Sequence, residues 1–246
     1  MSIWKKIQIT LAVFLVLAGL RVYLIYRERH EVATPKPTPS GYSNKDYYVS
    51  PHKLRAYDLK SLRSGIVGKT IWVHAGNQLV YYPYSAATHH VDFKHDKQVL
   101  PPIAALHVDD VMTSTGPASP VSMHALPAEP QLMILFKMDG SDSEYAVSAG
   151  TPKNGDASIY FDDVFFIEDP HQLYKHWPPD VWTSIDQHQV KEGMSELQTA
   201  FALGTDATLV GGDKMGDRTL EFPNNGKPLQ ISFRDDKIVR IEPVTK

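Results

Sequence analysis

The chain contains no cysteine in 246 residues. That excludes disulfides, thiolate metal sites and cysteine nucleophiles, and leaves the redox compartment open, since oxidising and reducing locations both tolerate such chains. It has no excess of either charge: 25 Lys and Arg against 28 Asp and Glu give a formal net charge of −3. That balance offers no basic footprint for a phosphate backbone, so nucleic acid is excluded as a partner. Neither a Gly-x-Ser-x-Gly elbow nor an HExxH or HxH spacing occurs, so the usual short signatures of hydrolases and zinc enzymes are missing. One long apolar run occurs, Ile7–Tyr26, and Arg21 breaks it, leaving Ile7–Leu20 free of charge.

The 20 residues of that run match the length needed to cross a hydrocarbon core of ~30 Å. Arg21 near one end can snorkel, and Tyr23 and Tyr26 are interfacial types. A cleaved signal peptide competes with this reading, because Lys5-Lys6, an apolar stretch and Val16-Leu17-Ala18 follow the small-residue rule at a cleavage site. The expectation is a transmembrane anchor over 1–30, engaging the membrane through 7–26. It would make a single-pass protein of the inner, cytoplasmic membrane with its remaining domains on the periplasmic side. Ala33–Gly41 alternates proline with small and polar residues, and 31–52 reads as an extended spacer.

From 53 to 169 the chain reads as short strands. Thr70–Ala75, Leu79–Tyr84, Gln131–Phe136, Glu144–Ser148, Ser158–Phe161 and Val164–Ile167 are β-rich, and Gly76-Asn77, Asp139-Gly140 and Asn154-Gly155 punctuate them. An SH3-like barrel or a small sandwich fits that spacing. Asp169-Pro170 then starts a helix and, with Pro178-Pro179, makes a joint to a last domain over 170–246. There Ser195 and Gln198 form a capping-box pattern, and Gly204 closes the helix they open. After a glycine-containing gap the apolar period drops to two: Leu220 and Phe222; Leu229, Ile231 and Phe233; Val239 and Ile241. The reading is two short helices on a three-stranded antiparallel sheet, and the fold class of the whole is α+β.

Val190–Gly204, with Gly193-Met194-Ser195 and Leu203-Gly204, followed by strands ending Ile231-Ser-Phe233 and Lys237–Ile241, resembles the SmpA/OmlA (BamE-like) family of bacterial envelope assembly proteins. The resemblance covers roughly the last quarter of the chain and implies an ααβββ module. It also implies a non-catalytic role in which envelope proteins are the partners and no cofactor is required. Family members that are outer-membrane lipoproteins carry an amino-terminal cysteine; this chain has none, so lipidation is excluded.

The candidate chemistry is sparse. His89, His90, Asp92 and His95 supply imidazoles and carboxylates suited to a divalent metal, and would support an alternative reading as a metal-binding protein or hydrolase. On a strand, however, His90 and Asp92 share one face while His89 and His95 share the other. Paired carboxylates at Asp109-Asp110 and Asp162-Asp163 read as polar turns or exposed pairs, and Gly211–Gly216 as a hairpin loop with no helix behind it to hold phosphate. For partner binding, Tyr81, Tyr82 and Tyr84 offer aromatic area, beside the plainer reading that they pack within a strand with their hydroxyls at the surface. The terminal edge strand, carrying Ile238 and Arg240, offers backbone pairing.

Overall fold

The computed structural model describes residues 4–5, 19–21, 23, 46, 49–94, 98–116, 130–153 and 156–244. The chain divides into two compact units, Met1–Ser40 and Gly41–Lys246, and every strand belongs to the second. No helix among the described residues is long and apolar enough to cross a membrane, which corrects the expected transmembrane helix as far as the described residues extend. Most of 7–26 lies outside the described residues. The physical weakness of the expectation is Arg21, which leaves a charge-free run of 14 residues where a crossing helix needs about 20.

In the second unit helix α1 (Leu59–Ile66) precedes the strands. Asp58 accepts the Ser61 amide at 2.7 Å while Ser61 Oγ accepts the Asp58 amide at 3.0 Å, so the first turn is closed from both directions. Leu62 and Ile66 face inward from it and are fully buried.

Nine strands follow: β1 (Thr70–Val73), β2 (Val80–Ser85), β3 (His90–Val91), β4 (Gln98–Val99), β5 (Ala105–Thr115), β6 (Pro130–Met138), β7 (Tyr145–Lys153), β8 (Asp156–Ile159) and β9 (Phe165–Phe166). A one-turn helix, α2 (Phe161–Val164), separates the last two. Every pairing is antiparallel, in the order β3-β2-β7-β6-β5-β1-β9, with β4 also beside β2 and β8 beside β7. This single open path corrects the expectation of a small barrel or sandwich. The reason lies in β6. Leu132, Ile134 and Phe136 pack into one cluster with Leu62 and Ile66, while Met133 and Leu135 pack into another with Tyr82, Val91 and Phe93. A strand buried on both faces shows as a continuous apolar run, and its sheet has two covered faces instead of one interior to close around.

The C-terminal part consists of α3 (Pro170–Leu173), α4 (Pro179–Asp186), α5 (Glu196–Leu203) and four strands in meander order, β10 (Thr208–Lys214), β11 (Asp217–Phe222), β12 (Leu229–Arg234) and β13 (Lys237–Pro243). The sheet therefore has one strand more than the expected ααβββ module. Residues 208–214, expected as a gap and loop, are β10. Two register shifts against β11, with Gly212 at φ +73°, break the period-two pattern that would have revealed it. The expected capping box does form: Ser195 Oγ accepts the Gln198 amide, and Gln198 Oε1 accepts the Ser195 amide at 2.9 Å. Trp177, Trp182, Phe201, Phe222, Ile231 and Phe233 fill the space between helices and sheet.

The two sheets share packing. Trp72 and Ile103 lie against the C-terminal cluster, and Phe166 is part of it, 5.9 Å from the Phe201 ring. Backbone closes the joint. Asn77 Nδ2 donates to Leu203 O at 2.6 Å, and Thr205 N donates to Gly76 O at 3.2 Å. Gly204, at φ +98°, fits because a Cβ there would lie 2.6 Å from Gly76 O.

Candidate functional site

The C-terminal sheet has two edges, and they differ. At β13 the backbone of Ile238 is already engaged: its N–H donates to Met194 O at 2.8 Å, and its carbonyl accepts Gly193 N at 3.0 Å. The segment leading into α5 thus lies along the start of β13 like a short extra strand, with Gly193 turning at φ +84° to permit it. The Ile238 side chain is 2% exposed and belongs to the core. Arg240, farther along, is exposed and bonds Glu242 at 2.6 Å. Of the two interaction residues expected on this strand, one is structural and the other is paired on the surface.

At the opposite edge β10 pairs only with β11 among the described residues. Leu209 stands opposite Leu220, which is buried, so both lie on the helix-facing side; yet Leu209 is 52% exposed, because the cover stops at β11. Val210 is 49% exposed and Met215, in the following turn, is exposed as well. An uncovered edge with adjacent large apolar side chains is a template for a further strand. The sequence signal for it was the Leu209-Val210 pair, masked by Gly211-Gly212.

Behind β10 the sheet is held firmly. Glu196, at the first position of α5, accepts Gly216 N at 2.6 Å and takes a two-pronged bond from Arg218, with Nη2 at 2.7 Å and Nε at 3.1 Å. Asp236 accepts Glu196 N at 3.1 Å, and its own N–H donates to Gly216 O at 2.9 Å. Burial raises the Asp236 carboxyl above its ordinary range, against the Glu196 amide, which lowers it. The start of α5 is thereby bolted to both hairpin turns. Asp206, which leads from α5 into β10, has a carboxylate oxygen buried without a partner, and desolvation pushes its pKa up.

The other expected sites disperse. Tyr81 and Tyr82 are buried, not displayed: Tyr81 donates to Gln98 Oε1 and meets Tyr145 edge-on at 5.1 Å, and Tyr82 lies 4.9 Å from Phe93. Tyr84 is half-buried beside His89 Nδ1, 3.2 Å away. His89 occupies a turn at φ +50°, His90 is exposed on β3, Asp92 accepts the Lys94 amide, and His95 lies outside the described residues. Among the described residues no three metal-ligating side chains converge. The paired carboxylates are also employed. Asp110 pairs with Arg63 and Asp109 with Lys137, while Asp162 clasps the Leu54 and Arg55 amides at 2.6 and 2.7 Å.

Antiparallel register does assemble one chain of groups that the sequence separates. Thr70 Oγ1 lies 3.0 Å from His107 Nδ1, whose Nε2 lies 2.6 Å from Asp139. Hydroxyl, imidazole and carboxylate stand in the order a hydrolytic relay uses. They stand on an exposed strand surface, however, and two cavities lie elsewhere: about 400 Å³ at the Thr208 end of β10, and about 230 Å³ between the two sheets. No family model, no curated protein and no solved structure matches this chain.

Proposed function

We propose that this chain is a non-catalytic interaction module of the bacterial envelope, acting outside the cytoplasm by pairing its free strand β10 with an extended segment of a partner protein. The observation that carries the reading is the exposed edge with Leu209 and Val210, backed by the Glu196–Arg218 bolt that keeps the sheet rigid behind it. Backbone pairing supplies affinity in such an arrangement, and side chains at alternate positions supply selectivity. The envelope setting rests on the resemblance of Val190–Ile241 to the SmpA/OmlA family.

The test is site-specific photocrosslinking in cells of the native organism. A crosslinker at Val210 is expected to trap one protein in stoichiometric yield, and the same group at Arg240 is expected to trap none. Equal capture at both positions, or capture at neither, would overturn the reading.

A further inference from the structure

The cleft of about 230 Å³ between the two sheets is built from both, and its two walls differ in chemistry. Val99, Pro101 and Pro102 give one apolar wall. Asn77, His188, Asn224 and Asn225 line it with amide and imidazole groups, above Ala202 and Leu203 at the end of α5. No Lys, Arg, Asp or Glu is among the lining residues. An ionic ligand would therefore give up its hydration without meeting a counter-charge.

Backbone conformation sets this place apart. Nine non-glycine residues among those described adopt positive φ, and five lie here: Asn77 at 64°, His188 at 53°, Asn224 at 42°, Asn225 at 53°, and Ile103 at 51° directly after the proline wall. Asparagine and histidine tolerate that region, whereas for a β-branched residue it is costly and persists only where surroundings impose it. Two of the polar groups are also held in place: Asn77 Nδ2 bonds Leu203 O, and His188 Nδ1 lies 3.2 Å from Ala202 O. The Ala202 and Leu203 carbonyls at the end of α5 are thus already met, and His188 Nε2 and the Asn225 amide retain hydrogen-bonding capacity.

We propose that this cleft binds one uncharged, hydroxyl-rich ring, a pyranose or its acetamido derivative. Its apolar face would lie on Pro101 and Pro102, and its hydroxyls would meet Asn77, His188 and Asn225. The volume, equal to the liquid volume of roughly eight waters, admits one ring. A ligand of this size held by a few neutral hydrogen bonds binds weakly, with Kd on the order of 1 mM. The site is separate from β10 and does not depend on the role proposed for that strand.

The experiment is an NMR titration of the full-length chain with methyl β-D-glucopyranoside and with N-acetylglucosamine. Saturable shifts are expected at Asn77, His188, Ala202 and Asn225. Combining His188→Gly with Asn225→Gly, both at exposed positions whose positive φ glycine adopts freely, is expected to weaken binding at least tenfold (~1.4 kcal/mol) while the amide spectrum stays that of the folded chain. Three results would overturn the proposal: no saturation across the millimolar range, shifts that survive the double substitution, or equally tight binding of glucosamine or glucuronate, whose charges the lining does not answer.

Discussion

The edges at β10 and β13 belong to one sheet and were made by opposite means. β13 is covered at Ile238 by the chain's own backbone at Gly193 and Met194, and the Ile238 side chain points into the core, while Val239 beyond it is 50% exposed. β10 is left open, with two bulges and an apolar pair in water. Sheet proteins generally blunt their edges, and here the two edges are handled differently: backbone covers the start of β13, while β10 carries only its register shifts. The difference teaches that position at the end of a sheet does not make a strand available; the segment lying alongside it decides.

Removing the buried anchor of the sealed edge should have the largest effect. Ile238→Ala empties a fully packed position and should cost about 3 kcal/mol, read as a lower denaturation midpoint at unchanged m-value. A loss below about 1 kcal/mol would show that β13 is looser than its burial indicates. Next comes Gly193→Val, which places a β-branched residue at φ +84° and should cost about 2 kcal/mol while opening the seal. Hydrogen exchange gives the direct reading: the Ile238 amide, protected through Met194 O in the native chain, should exchange faster in the variant. Unchanged protection would erase the distinction between the two edges.

The open edge should respond in the reverse way. Replacing Leu209 by lysine should move stability by no more than about 0.5 kcal/mol, because its side chain is half exposed, yet should abolish the crosslink expected from a crosslinker at position 210. Smallest is the effect of Asp206→Asn at the entrance to β10. Burial raises the Asp206 carboxyl, so the folded state holds its proton more tightly than the unfolded one. Stability linked to that proton is fully present below the unfolded pKa of about 3.8 and is lost as pH rises through the folded value. The asparagine variant should therefore melt slightly higher than the native chain at pH 7, with the gap closing as pH falls toward 3. A gap that is constant with pH would assign the effect to something other than this carboxyl.

Local chemistry was legible in the sequence where the chain speaks to its near neighbours. The Ser195–Gln198 box, the Asp169 cap ahead of Pro170 and the strands at Leu220–Phe222 and Leu229–Phe233 all rest on contacts a few residues apart or on plain alternation. What failed depended on distant partners. Tyr81 and Tyr82 look like surface aromatics until β7 and the Phe93 segment cover them. Ile238 looks like an edge residue until Gly193 lies beside it. β10 was lost because two glycines in bulges remove the alternation on which strand recognition depends. The apolar run of β6 was visible, but no local rule tells a strand covered on two faces from one lining a barrel.

The joint at Gly76, Asn77 and Gly204 bears on how the chain is made. Its partners are about 126 residues apart, so none of its bonds can close until the chain has left the ribosome through Leu203. Until then Trp72 and Phe166 on the nine-stranded sheet lack the surface that covers them, and the growing chain carries a sticky flank until α5 emerges. A product truncated anywhere before α5 would keep that flank permanently bare, which makes early termination, more than any single substitution, the event after which this protein should need chaperones or fall to proteases.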